Sequence, residues 1–272
     1  MDVLCEIGEN MKLSGKVIVI TGASSGIGAQ LALQAAALGA VLVIMARTKS
    51  KLEELKEKIE AQYRTPCHVY ALDVSDERMV EETFARVEKE VGSVDVLVNN
   101  AGFGIFKTFQ DASMAEVKEM FHVNVFGLVA CTKAVLPSML RRNSGHIVNI
   151  ASLAGKIATP KSSAYAATKH AVLGFTNSLR MELSNTDIRV TAVNPGPIET
   201  NFFNIADQSG TYVKSMQRYM LKADYVAKKT IKAIEAGKRE LNLPRWMGIG
   251  PVIFSLFPGL FERAAGKSLN KK

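Results

Sequence analysis

Apolar residues gather along the chain in short dense runs, separated by stretches where they recur every third or fourth position. The dense runs are KVIVITG (16–22), VLVIMA (41–46), CHVYALDV (67–74), DVLVNNAG (95–102), HIVNIAS (146–152) and IRVTAVNPG (188–196). Near-continuous apolar runs rich in β-branched residues predict strands covered on both faces. Between them lie ASSGIGAQLALQAAALGA, stopped at Gly39, then KSKLEELKEKIEAQY, DERMVEETFARVEKEV, a long helical region near 113–142 and a helix around Tyr165; another covers 223–236 after the last run. Parallel strands need a helical crossover, so this alternation predicts an α/β fold: a doubly wound parallel sheet flanked by helices on both faces. In such sheets ligands bind beyond the carboxyl ends of the strands.

No linker or repeat interrupts the 272 residues, so one domain is expected, with a core at about 14–243 and an apolar C-terminal extension at 244–272. The first sixteen residues lack a basic stretch leading into an apolar run, so neither a secretory signal nor a membrane anchor is expected there. Cys5, Cys67 and Cys131 are odd in number and widely spaced, which fits a reduced, cytoplasmic protein. The net charge of +8 arises largely late in the chain, at Lys214, Arg218, Lys222, Lys228, Lys229, Lys232, Lys238, Arg239, Lys267, Lys271 and Lys272. A solvated helix face plus a tail accounts for it; so does attraction to a phosphorylated cofactor, an acyl carrier or a lipid surface. Nucleic acid is not an expected partner, because no aromatic residues interleave the basic positions.

TGASSGIG (21–28) joins the first strand to the first helix. Gly22, Gly26 and Gly28 remove Cβ atoms where the chain must turn and a ligand must approach. The N–H groups of Ser24, Ser25 and Ile27 lie in the same turn, and the positive helix end suits a pyrophosphate. The spacing is GxxxGxG, so the usual GxGxxG fingerprint does not apply literally. Gly22–Gly26 also satisfies GxSxG, the nucleophile elbow of serine hydrolases. That reading needs a histidine at a strand end, and His68, His122, His146 and His170 are all poorly placed. No metal-ligand spacing occurs, so no metal is expected. An acidic residue at the end of the second strand would select NAD(H) through the ribose hydroxyls; Ala46 and Arg47 stand there instead, with Lys49 and Lys51 nearby. Arg47 can pair with a 2′-phosphate, which favours NADP(H) over NAD(H). Asp73 and Val74, ending the third run, are expected near the adenine.

Tyr165 and Lys169 stand four residues apart, one helical turn on the same face. Ser152 lies just past the strand before them, so all three are expected at the carboxyl edge of the sheet. A nearby ammonium favours phenolate and can lower a tyrosine's pKa by about one to three units. Tyr165 then exchanges a proton with a carbonyl or alcohol oxygen that Ser152 holds. Asn124 has two readings: it places a water linking Lys169 to solvent, or it is a helix-kinking polar residue satisfied locally.

TGASSGIG, Asp73-Val74, Asn99-Asn100-Ala101-Gly102, Asn124, Ser152, Tyr165 with Lys169, and Pro195-Gly196 followed by Thr200 together resemble the short-chain dehydrogenase/reductase family, over about residues 14–243. The resemblance implies a Rossmann-type fold and hydride transfer at the nicotinamide C4 between a carbonyl and an alcohol. It implies that Lys169 also bonds the nicotinamide ribose, that Asn100 supports the cofactor near the adenosine side, and that Ile198 and Thr200 hold the carboxamide; Tyr165, Ala101, Gly102, Pro195 and Gly196 are further expected cofactor-binding residues. It also implies a homodimer or homotetramer. A non-catalytic NADP(H)-binding sensor or scaffold is the alternative, though a binding module has no need of the Ser–Tyr–Lys set.

Phe103, Phe106, Phe202 and Phe203 form either an apolar substrate pocket or plain packing, and the stretch IETNFFNIADQSGTYVKSMQRYMLK around Gly210 reads as a substrate loop or lid. The apolar C-terminal stretch PRWMGIGPVIFSLFPGLFERAAGK is too interrupted to span a membrane. Packing against a subunit or the pocket is expected of it, ahead of a peripheral membrane contact.

Overall fold

The computed structural model describes residues 13–207, 210–259 and 263. In chain order the elements are β1 (Val17–Thr21), α1 (Gly26–Ala36), β2 (Val41–Ala46), α2 (Lys49–Tyr63), β3 (Cys67–Ala71), α3 (Glu77–Glu90), β4 (Val96–Asn99), α4 (Met114–Phe121), α5 (Leu128–Arg142), β5 (Gly145–Ile150), α6 (Ser163–Glu182) and β6 (Ile188–Pro195). The two-residue strands β7 (Ile198–Glu199) and β8 (Leu221–Lys222) bracket α7 (Phe202–Ala206) and α8 (Thr211–Met216); α9 (Ala223–Glu235), β9 (Glu240–Leu243) and α10 (Ile249–Leu256) follow.

Seven strands form one parallel sheet in the order β3-β2-β1-β4-β5-β6-β9. This is the doubly wound Rossmann-type architecture the sequence pattern predicts. Alternation along each strand divides the core. Ile18, Ile20, Leu42 and Ile44 face one layer with Leu31 of α1, Leu52 of α2 and Ile231 of α9. Val19, Val43 and Met45 face the other, with Phe84 of α3, Val135 of α5 and Leu179 of α6. Each such fully buried aliphatic side chain contributes about 1.5–3 kcal/mol. Chain order reverses between β1 and β4, so the helices flanking that point diverge and leave a cleft at the carboxyl edge.

The seventh strand was not among the expected runs. Its sequence, ELNL, has no β-branched residue; it becomes a strand by pairing along β6, from Ala192 opposite Glu240 to Pro195 opposite Leu243. The long helical region near 113–142 is α4 and α5 joined by a π-helical turn, His122–Gly127. Among the described residues this run alone has the length and hydropathy of a membrane span, yet it packs against α3, α6, β4 and β5. The expected loop after Pro195-Gly196 instead holds the short helices α7 and α8.

Candidate active site

The first strand delivers the glycine loop, and Thr21, its last residue, closes it. The Thr21 hydroxyl accepts from the backbone N–H groups of Asn100 and Ala101, both at 3.1 Å. The Asn100 side-chain amide donates to the carbonyls of Thr21 (2.9 Å) and Gly22 (3.0 Å). The two strand-end loops are thus fastened together, and Asn100 serves the glycine loop directly. Gly22 has φ +65°, and a Cβ there would stand 2.8 Å from Ala101 Cα. Gly28 differs from the other two glycines: it does not line the cleft, and a Cβ on it would meet the Gly22 carbonyl oxygen at 2.5 Å. Its smallness lets α1 press against the loop.

The start of α1 has no side-chain cap and no acidic residue in its first turn. Its orphan N–H groups therefore face the cleft beside Ser24, Ser25, Gly26 and Ile27. A cradle of glycine backbone at an uncapped helix N-terminus fits a pyrophosphate, so these residues suit a dinucleotide. Ala46 is buried at the end of β2, while Arg47 is exposed and lines the same cleft with Thr48 and Lys51. Asp73 and Val74 also line it; the Asp73 carboxylate is held by the Ser75 N–H (3.0 Å) and hydroxyl (2.7 Å).

Ser152, Tyr165 and Lys169 converge as expected. β5 and the turn after it bring Ser152 to the sheet edge, and the second turn of α6 begins a residue or two past Tyr165. Ser152 Oγ accepts from the Ala154 N–H at 3.1 Å. Its proton can turn to the Pro195 carbonyl oxygen, 3.4 Å away, or to the Tyr165 phenol. Lys169 Nζ donates to the Ile150 carbonyl at 2.9 Å and lies 5.8 Å from the Tyr165 ring centroid. Burial pushes the Lys169 ammonium down to about 8.

The phenol departs from the expected fall in pKa. Burial raises Tyr165 above its ordinary value, the Ser152 hydrogen bond opposes that rise, and the Tyr212 phenol adds to it. Full enclosure outweighs a lysine whose ammonium is turned toward a backbone carbonyl. At neutral pH the site therefore holds a protonated phenol beside a lysine whose ammonium burial has weakened.

Asn124 is held by side-chain hydrogen bonds to partners distant in sequence. Its Oδ1 accepts from the Phe103 N–H (2.9 Å), and its amide donates to the Phe103 carbonyl (2.8 Å) and to Thr168 Oγ1 (3.1 Å). Asn124 is buried and does not line the cleft. The π-helical turn presents it, and Gly102 makes room: a Cβ there would stand 3.0 Å from Asn124 Oδ1. Asn124 thereby fixes the Asn100–Phe103 segment under Lys169. Pro195, Gly196, Ile198 and Thr200 line the cleft beside the triad, as Asn100, Ala101 and Gly102 do opposite.

Beyond Tyr165 the cleft, about 1100 Å³ in all, becomes aromatic. Phe106 contacts the rings of Tyr165 (5.7 Å), Phe202 (6.2 Å), Phe203 (6.1 Å) and Tyr212 (5.1 Å). Phe103 lines it as well. The pocket reading of the phenylalanines therefore holds for the geometry. Tyr212, from the stretch read as a substrate loop, and Trp246 and Met247, from the apolar C-terminal stretch expected to pack on a subunit or the pocket, also line the cleft. Thr21, directly ahead of Gly22, could have been read as the loop's clasp.

The sequence profile described as short chain dehydrogenase matches residues 16–209. The chain is 35% identical over 268 residues to dehydrogenase/reductase SDR family member 7B of Mus musculus, covering 96% of this chain and 83% of that protein. Among solved structures, a short chain dehydrogenase/reductase from Burkholderia phymatum in complex with NAD is similar at TM-score 0.85 and 27% identity, over 92% of this chain and 96% of that one. An alcohol dehydrogenase from Thermococcus sibiricus complexed with 5-hydroxy-NADP is similar at TM-score 0.77 and 30% identity, over 85% and 96%. The chain belongs to the short-chain dehydrogenase/reductase family. It is an oxidoreductase of the class that acts on CH–OH groups with a nicotinamide cofactor.

Proposed function

We propose that the protein is an NADP(H)-dependent reductase of an apolar aldehyde or ketone, with Tyr165 as the proton donor. The observation carrying this reading is the junction of Ser152, Tyr165 and Lys169 between a dinucleotide cradle and an aromatic pocket. When bound, the reduced cofactor supplies the hydride to the carbonyl carbon. Ser152 Oγ holds the carbonyl oxygen as negative charge develops there. Tyr165 Oη gives that oxygen its proton and becomes phenolate, and the Lys169 ammonium stabilises the new charge. A phenol that is protonated at rest suits reduction. The aromatic wall of Phe106, Phe202 and Phe203 excludes water from the carbonyl and selects apolar substituents.

Asn124 acts in this reading as a positioning residue for the loop below Lys169. Arg47, with no acid at the end of β2, supports the phosphorylated cofactor over NAD(H). The Thermococcus sibiricus neighbour is complexed with an NADP derivative and the Burkholderia phymatum neighbour with NAD, so likeness alone does not choose. We further propose a cytoplasmic homodimer or homotetramer; the buried, separate thiols of Cys67 and Cys131 accord with a reducing compartment.

The test is a panel of aldehydes, ketones and β-keto acyl esters with NADPH, followed by cofactor absorbance, for the wild type and Tyr165→Phe. Turnover should appear with apolar carbonyls and fall about a thousandfold in the variant, while NADPH affinity stays within twofold. Cofactor binding without turnover of any carbonyl would transfer the protein to the sensor or scaffold reading.

A further inference from the structure

The helix α10 carries its apolar residues at the spacing of a core helix and turns them to solvent. Ile249, Val252, Ile253 and Leu256 form one stripe at i, i+3, i+4 and i+7, with exposures of 61, 56, 42 and 66%. Pro251, on the other side of the helix, is buried against the cleft. Phe257 extends the stripe, and the exposed rings of Tyr219 and Trp246 meet edge to face at 6.0 Å beside it. Scattered exposed apolar residues are ordinary; an ordered stripe with two aromatic neighbours is a contact surface. The packing expected of this segment is thus met by its inner side only.

Charge identifies what covers the outer side. The two segments that build this face, 210–222 and 244–259, contain Lys214, Arg218, Lys222 and Arg245, all exposed, and no acidic residue. Arg218 and Arg245 each stand next in sequence to one ring of the Tyr219–Trp246 contact. Two copies of the chain joined through this face would set like charges against each other. An anionic bilayer complements them, and amphipathic Trp and Tyr rings suit its headgroup layer. Trp246 and Ile249 also line the cleft, so the face is the rim of the cavity.

We propose that this face rests on an anionic lipid surface, with the α10 stripe among the headgroups, and that the cleft draws its carbonyl substrate from the bilayer. The membrane contact is independent of the catalytic reading; delivery of the substrate rests on it.

The experiment is flotation of the full chain with vesicles of phosphatidylcholine alone or mixed with phosphatidylglycerol, at low and high salt, with size-exclusion chromatography in parallel. Binding is expected to the mixed vesicles at low salt only. Arg218→Glu with Arg245→Glu should weaken partition at least about 25-fold, near fivefold for each basic residue removed. Val252→Glu with Leu256→Glu, both outside the cleft lining, should abolish flotation while NADPH binding persists. Absence of flotation at low salt overturns the proposal, as does flotation indifferent to both pairs. Loss of a dimer in the Val252/Leu256 variant, without lipid binding by the wild type, assigns the face to a second copy instead. A long-chain ketone held in the vesicles and reduced no faster by the wild type than by that variant removes the delivery step alone.

Discussion

In the nucleotide arm of the cleft the glycine loop is packed main chain to main chain at Gly22, where a Cβ would stand 2.8 Å from Ala101 Cα, and Thr21 and Asn100 lock two strand ends with four hydrogen bonds. In the substrate arm the walls are side chains on short helices, with Phe106, Phe202, Phe203 and Tyr212 in mutual ring contact. Main-chain walls admit one shape, because a single added methyl group collides with fixed atoms. Ring walls can repack, because neighbouring aromatics have alternative offset and edge arrangements. One arm is thus built to accept a fixed ligand, and the other can be retuned.

Three substitutions test that contrast. Gly28→Ala, although outside the cleft lining, should cost about 1–3 kcal/mol of stability by overpacking. Thermal unfolding with and without NADPH checks this, and the cofactor's stabilising effect should shrink as the loop opens. An unchanged unfolding temperature would show that the cradle yields after all. Arg47→Ala should weaken NADPH about tenfold or more, in line with the loss of a charge-assisted bond, and leave NADH nearly unchanged. Equal losses in the two titrations would remove the cofactor assignment. Phe202→Leu should raise KM for bulky apolar carbonyls a few-fold, as one ring contact of about 0.5–1.5 kcal/mol is lost. Cofactor affinity should not move; if it does, the two arms are mechanically coupled.

The same contrast decides how much could be read in advance. The six long strands and their helices follow from apolar periodicity, because both faces of the sheet are buried and every strand must be apolar throughout. The triad was legible because a fixed one-turn spacing and a preceding strand end restrict where the side chains can go. Gly28 and Asn100 were read from the sequence as cofactor residues, but whether such a residue touches ligand or braces its neighbour depends on distances of a few tenths of an ångström. β9 was illegible because ELNL becomes a strand only through its partner β6. Trp246 and Met247 reach the cleft from a distant segment whose apolar character announced packing without choosing between a subunit and the pocket. The Tyr165 pKa was misread because a neighbouring charge is visible in sequence, whereas enclosure is a property of the assembled fold.

The π-helical turn at His122–Gly127 has a consequence for changes of chain length. Bonding there runs i to i+5, so the turn holds more residues than an α-helix would need. Removing one residue from this stretch would let α4 and α5 fuse into a regular helix with α5 close to its present phase, because the wider turn already absorbs the extra residue. Asn124 would lose the position from which it bonds Phe103, while Gly127, where a Cβ would stand 2.7 Å from the Val74 carbonyl oxygen, would stay in place. The turn works as a one-residue detour that aims Asn124 at Phe103 while the two ends of the helix keep a common phase.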